Sequence, residues 1–229
     1  MASDFRSFSP AHLAIMAAIP AVAGALAAVA RPSHRARRIA IGLGVLLAIN
    51  ELTWYGFRLR VEGFRFPEGL PLELCALTLW LTVASLVTSK PAVFEFAYLA
   101  GIGGAGMAII TPDLWAPFFS YPTIYFFAAH GGVVAGLLFQ IWAGLVRPRP
   151  GCVWRVFGLA NAYAALLAVF NASFGTNYMY LCRKPESASI LDFFGPWPIY
   201  LLPGEAVALL IFWLLWLPFR RGASAKPGP

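Results

Sequence analysis

Long apolar runs separated by short polar connections extend along almost the whole chain. A helix that crosses the hydrocarbon core of a bilayer needs about 20 mostly apolar residues. We predict seven such helices, at residues 11–30, 39–57, 71–89, 93–111, 121–146, 153–173 and 198–219. Proline follows the end of three of these runs, where it stops a helix. The pattern therefore predicts an all-α fold, a polytopic transmembrane helical bundle of about seven helices.

The connections between the runs are too short for a separate soluble domain. We expect residues 1–229 to form one transmembrane helical domain, with a short polar N-terminus at 1–10 and a polar C-terminal tail at 220–229. Basic residues follow the first run, whereas a signal peptide has them before its apolar segment. We therefore expect the first run to be a membrane helix and not a cleaved signal.

The composition agrees with this pattern. Hydrophobic residues make up 60% of the chain and charged residues 12%, whereas soluble domains have about 25% charged residues. The net charge of +7 could indicate a nucleic-acid partner, but the basic residues form short clusters between apolar runs and do not line one exposed face. We expect no nucleic-acid partner.

The basic residues also predict the orientation in the membrane. Eleven of the 17 Lys and Arg residues fall in the first, third and fifth connections and the C-terminal segment, and six fall on the opposite side. Glu95 is the one acidic residue on the more basic side. Since an excess of Lys and Arg marks the cytoplasmic side, we expect the N-terminus outside and the C-terminus in the cytoplasm.

Burying a polar side chain within the membrane costs free energy, so such residues are candidates for a functional role. With the predicted topology, most of them fall in the outer half of the bundle, and Asn161 is the clear exception. One polar cavity open to the outer leaflet would explain this clustering. The clustered residues are Glu51, Glu73, Cys75, His130, Asn171, Thr176, Asn177, Tyr178 and Glu205.

Each of the main candidates also has a structural interpretation. Cys75 could be a small core residue, or could form a disulfide with Cys182 in an oxidising compartment. His130 could be a packed histidine that donates to a carbonyl group, and Glu51 could belong to a local polar network. Glu205 has no basic residue within one turn, so we expect a partner on another helix, and His130 is the nearest candidate in depth.

Several motifs resemble one family of membrane proteins. They are the Leu-Pro-Leu-Glu-Leu-Cys run at 70–75, the His-Gly pair at 130–131, the aromatic run at 174–181, the Lys-Pro pair at 184–185, and the segment from Leu191-Asp192 to Gly-Pro-Trp-Pro at 195–198. Together they resemble the YwaF-like bacterial membrane proteins, which are relatives of the eukaryotic transmembrane protein 164. The resemblance covers roughly residues 45–205 and implies location in a bacterial cytoplasmic membrane.

The resemblance implies an activity. The eukaryotic relative is regarded as a cysteine-dependent acyltransferase that moves acyl chains between phospholipids with a Cys and a His, which correspond here to Cys75 and His130. The more distant androgen-induced-type lipid hydrolases use a Thr and a His in a similar bundle. The implied partners are membrane lipids, a phospholipid acyl donor and a lysolipid acceptor, and no cofactor or metal is expected.

A mechanism follows as a hypothesis. Cys75 would attack the ester carbonyl and hold the chain as a thioester, and His130 would take the thiol proton and later activate the acceptor hydroxyl. Glu205 or Glu51 could orient the imidazole. Asn177 or Thr176 could donate to the oxyanion, with Glu73 and Tyr178 as further supporting residues. We expect the Cys75 sulfur and a His130 ring nitrogen to lie within about 4–5 Å on one cavity.

Three other functions remain open from the residues. Glu51, His130 and Glu205 could form the relay of a transporter or proton-coupled channel. A lipid hydrolase would result if water reached the thioester. A membrane assembly factor without chemistry is a third possibility.

The topology can be tested with reporter fusions after residues 34, 184 and 224. We expect a cytoplasmic readout at 34 and 224 and an external readout at 184, because the basic residues concentrate on the first side. A cytoplasmic readout at 184 would contradict the expected placement of the polar cavity.

Overall fold

The chain is all-α in a computed structural model that describes residues 5–30, 33–114, 116–185 and 190–224. In these ranges it has no strand. The helices are α1 (Pro10–Val29), α2 (Ser33–Glu62), α3 (Leu74–Thr88), α4 (Pro91–Ile110), α5 (Tyr121–Trp142), α6 (Cys152–Phe174) and α7 (Leu201–Trp216). Short 3-10 turns cover Tyr178–Tyr180, Ile190–Phe194 and Leu217–Ser224. The predicted fold class and the seven helical segments are confirmed.

Six of the described helices are long and apolar enough to cross a membrane, and α3 is the exception with 15 residues. Its length of about 22 Å is shorter than a hydrocarbon core of about 30 Å. The helix predicted from residue 71 begins at Leu74 because the preceding carbonyl groups have other donors. The Tyr178 hydroxyl donates to the Leu70 oxygen at 3.0 Å, and the Tyr163 hydroxyl donates to the Leu72 oxygen at 2.8 Å.

The short helix α3 lies in the centre of the bundle. It packs against α2, α4 and α5, while α1 lies on α5, and α6 and α7 lie beside α4. Small residues permit these close approaches. A Cβ atom at Gly136 would lie 3.0 Å from Leu86, and one at Gly101 would lie 3.4 Å from the Thr78 Cβ atom. Two cavities among the described residues have residues of α3 in their linings.

A buried carboxylate joins α4 to the connection between α5 and α6. The Glu95 side chain is 2% exposed. Its Oε1 atom accepts hydrogen bonds from the Arg149 backbone N–H and Nε, both at 2.8 Å, and its Oε2 atom accepts from Arg149 Nη2 and Arg155 Nη2, both at 3.0 Å. Four donors thus compensate the loss of hydration that burial imposes on the charge.

Replacing Glu95 by Ala should lower the free energy of unfolding by about 3 kcal/mol, at the low end of the range for breaking a buried ion pair, because the half-exposed arginines can rehydrate. Thermal unfolding of the purified protein measures this change. The matched control is Glu62→Ala, which breaks the more exposed Arg58–Glu62 pair and should change stability by no more than about 0.5 kcal/mol. Equal effects of the two substitutions would contradict the role assigned to Glu95.

Candidate functional site

A cavity of about 250 Å³ lies between α2, α3, α4 and α5, and we call it the polar cavity. Tyr178, from the turn after α6, completes one wall. Both Cys75 and His130 line this cavity, although they lie on different helices and 55 residues apart. The polar side chains of its lining are Glu51, Tyr55, Arg58, Glu68, Glu73, Cys75, Thr78, Tyr125, His130 and Tyr178.

Cys75 is the second residue of α3, and its side chain is exposed at the polar cavity. The first backbone N–H groups of a helix have no carbonyl partner within the helix. The Glu73 side chain does not cap them, although Glu73 holds the capping position. The thiol therefore lies at the positive end of the helix dipole, beside N–H groups that have no acceptor among the described residues.

His130 lines the same cavity with a defined tautomer. Its Nδ1 atom lies 2.8 Å from the Phe126 carbonyl oxygen, and a carbonyl can only accept, so Nδ1 bears the proton. Its Nε2 atom makes no hydrogen bond to any described residue and can accept a proton. His12 differs, since Nε2 contacts the Ile109 oxygen at 2.7 Å and Nδ1 accepts from the Phe8 N–H. His12 is therefore a structural histidine that joins α1 to α4.

Glu51 is the carboxylate that shares the polar cavity with the Cys–His pair from within a helix. Its side chain is buried, with 2% exposure. The Tyr125 hydroxyl donates to Glu51 Oε2 at 2.6 Å. Trp54 stacks on the Tyr125 ring with centroids 4.2 Å apart. Glu51 is thus held in place at the cavity wall, where it can stabilise a positive charge.

Glu205 lies elsewhere, in a second cavity between α4, α6 and α7. The Asn161 Nδ2 atom donates to Glu205 Oε2 at 2.9 Å. The expected partnership with His130 is therefore wrong, because α7 packs against α4 and α6 and not beside α5. The possible disulfide is not formed either, since Cys75 and Cys182 are both free thiols.

Thr176 and Asn177 hold the turn after α6 and do not line the polar cavity. The Thr176 hydroxyl donates to Asn171 Oδ1 at 2.7 Å. Asn177 donates through Nδ2 to the Arg183 oxygen at 2.9 Å and accepts through Oδ1 from the Cys182 N–H at 3.0 Å. Their polar atoms are already paired within this turn, so the expected oxyanion role does not suit either residue.

Sequence reasoning missed the later start of α3, which leaves Cys75 in the first turn of the helix. Proline is accepted in the first turn of a helix, so Pro71 was compatible with the predicted start at residue 71. That start would put Cys75 a full turn inside the helix, where its N–H is already bonded. No local signal marks the later start at Leu74, because the groups responsible belong to α6 and the turn after it.

Glu73 and Tyr178 connect this turn to the start of α3. Glu73 Oε2 accepts from the Met179 N–H at 3.4 Å, and the Tyr178 hydroxyl donates to the Pro67 oxygen at 2.8 Å as well as to the Leu70 oxygen. Burial raises the pKa of Glu73 above its ordinary value, and the Met179 N–H opposes this shift. Both residues therefore support the position of Cys75.

Comparison with known proteins gives one match. The model of the TMEM164 family matches residues 7–217 of the chain. No curated protein and no solved structure matches.

Cys75 should react first with a lipid-like electrophile, such as an acyl chain that bears a maleimide. It is exposed at the polar cavity, whereas Cys152 is buried and Cys182 is half-buried. Peptide mass spectrometry of the labelled protein should find the adduct on Cys75, and Cys75→Ala should remove it. Earlier labelling of Cys182 would contradict access to the thiol through the polar cavity.

Proposed function

We propose that this protein transfers acyl chains between membrane phospholipids. The chain belongs to the TMEM164 family and is an integral membrane protein. Cys75 is the nucleophile and His130 the general base in this proposal. The main support is that an exposed thiol and an imidazole with a free Nε2 atom line the same cavity. The cavity lies among apolar helices, which suits a substrate whose tails remain in lipid.

The first half-reaction forms a thioester. The thiol of Cys75 gives its proton to His130 Nε2 while its sulfur bonds to the carbonyl carbon of the donor ester. The ester C–O bond then breaks, and the His130 imidazolium gives the proton to the departing lysophospholipid oxygen. Free cysteine has a pKa of about 8.5, so the base is needed to generate a thiolate at neutral pH.

The second half-reaction transfers the chain to the acceptor. The hydroxyl group of a lysolipid gives its proton to His130, and its oxygen attacks the thioester carbonyl. The C–S bond breaks, and the proton returns from His130 to the Cys75 sulfur. Water in place of the acceptor hydroxyl would make the same site a lipid hydrolase. Neither half-reaction needs a cofactor.

The backbone of α3 and Glu51 stabilise the charges in this scheme. The unpaired N–H groups in the first turn of α3 are the donors for the oxyanion. In other enzymes, removal of one such donor raises the activation free energy by about 2.7–4 kcal/mol. Glu51 lines the same cavity and can favour the imidazolium form of His130. Tyr125 fixes the Glu51 carboxylate through its hydrogen bond.

The distribution of basic residues supports a site that opens to the outer leaflet. It puts the N-terminus outside and the C-terminus in the cytoplasm. The start of α3 then lies at the outer side, together with Cys75. We propose that donor and acceptor are lipids of the outer leaflet of a bacterial cytoplasmic membrane.

The geometry favours acyl transfer over a transporter or proton-coupled channel. A relay would need Glu51, His130 and Glu205 in one continuous path. Glu51 and His130 line the polar cavity, whereas Glu205 lines a different cavity and is bonded to Asn161.

Acyl transfer should depend on both residues in vesicles that contain purified protein, phosphatidylcholine and a labelled lysophospholipid acceptor. Cys75→Ala should abolish the labelled product, and His130→Gln should lower its rate by about 10²–10⁴-fold, the usual contribution of a general base. Lipid mass spectrometry measures the product. Cys182→Ser is the matched control and should retain the rate.

The proposal would be overturned if Cys75→Ala retained acyl transfer. It would also be overturned if the vesicles showed no transfer but a proton flux that both His130→Gln and Glu205→Gln abolished, since the relay would then explain the residues.

A further inference from the structure

The second cavity is apolar and has a volume of about 240 Å³. It lies between α4, α6 and α7, and we call it the apolar cavity. Small residues, among them Ala100, Gly104, Ala164 and Gly204, leave the space that larger side chains would fill. The Asn161–Glu205 pair is polar, but its two groups are bonded to each other. Such a cavity suits a hydrocarbon ligand.

The lining of the apolar cavity extends along two helices. Its lining extends from Gly204 to Phe212 on α7 and from Phe157 to Ala164 on α6. At a rise of about 1.5 Å per residue, these stretches span roughly 10–12 Å. Because the helices cross the membrane, the long direction of the cavity follows the direction of lipid chains in a bilayer.

The linings of the two cavities meet at consecutive residues of the chain. Cys75 lines the polar cavity and its neighbour Leu74 lines the apolar cavity. Likewise, Tyr178 lines the polar cavity and its neighbour Met179 lines the apolar cavity. The proposed nucleophile is therefore the sequence neighbour of a residue that lines the apolar cavity.

We propose that the apolar cavity binds the acyl chain of the group that Cys75 transfers. This inference rests on the proposed function and names the part of the substrate that the second cavity holds. The chain enters past Leu74 and Met179, and the unbranched Met179 side chain is flexible enough to change rotamer. The polar cavity then holds the ester, and the length of the apolar cavity limits the chain that is transferred.

Two glycines in the lining of the apolar cavity can be substituted to test this proposal, because there is open space where their side chains would lie. A Cβ atom at Gly104 or at Gly204 would have no atom within 4 Å, and both residues line the apolar cavity. Leucine at either position should fill the space that the chain would occupy. Gly106 also has no atom within 4 Å of a Cβ, and it lines neither cavity. Gly106→Leu is therefore the matched control on the same helix.

The first experiment measures chain-length preference with phosphatidylcholine donors that bear short and long chains. Gly104→Leu and Gly204→Leu should each lower the ratio of long-chain to short-chain transfer by about tenfold or more, the discrimination that an apolar pocket provides. Gly106→Leu should leave the ratio unchanged. An unchanged ratio in both folded variants, as judged by thermal unfolding, would overturn the proposal.

The second experiment needs no catalysis, because it uses the Cys75→Ala protein in vesicles of phosphatidylcholine with a photoreactive group on one acyl chain. Crosslinks should appear on residues 157–164 and 204–212, and Gly104→Leu should remove most of them while Gly106→Leu does not. Crosslinks that are unaffected by Gly104→Leu would overturn the chain site. The expected crosslinks without any acyl transfer in the wild-type protein would establish the chain site and refute the proposed function.

Discussion

The backbone between α2 and α3 is irregular, and its carbonyl groups need hydrogen-bond donors because they have no helical partners. Two tyrosine hydroxyls add to the backbone N–H groups that supply these donors. Tyr178 donates to the oxygens of Pro67 and Leu70, and Tyr163 donates to the oxygen of Leu72. These bonds end the irregular segment at Glu73 and let α3 begin at Leu74. Cys75 is consequently in the first turn of a helix, beside unpaired N–H groups, and not in its interior.

The central position of α3 follows from small residues on its neighbours. Glycines on α4 and α5 let both helices approach α3 closely, as is common in membrane bundles. Farther along α3, the Gln140 amide bonds to Ser85 through both of its polar ends, at 2.9 and 3.0 Å. Glu95 with its two arginines joins α4 to the connection before α6. These contacts fix the bundle at its core and at one end.

The two cavities provide two different chemical environments. The polar cavity contains the thiol, the imidazole and three carboxylates, Glu51, Glu68 and Glu73. The lining of the apolar cavity is mostly small, aliphatic and aromatic residues of α4, α6 and α7, with the bonded Asn161–Glu205 pair as its polar part. A lipid ester needs both environments, since its carbonyl reacts among polar groups while its chain remains in an apolar space. Consecutive residues at the start of α3, Leu74 and Cys75, contribute to both linings, so the start of this helix shapes both cavities.

Hydropathy and charge by themselves determined the all-α class, the seven helical segments and the candidate residues Cys75, His130 and Glu51, because apolar length and costly polar groups are local properties of the chain. The tertiary structure decided the start of α3, the separation of Glu205 from His130, and the structural roles of Thr176 and Asn177. These outcomes depend on partners far apart in sequence. Tyr178 and Leu70 are 108 residues apart, and Asn161 and Glu205 are 44 residues apart. Periodicity within one helix contains no information about which helix will lie beside it, and packing alone supplies that choice.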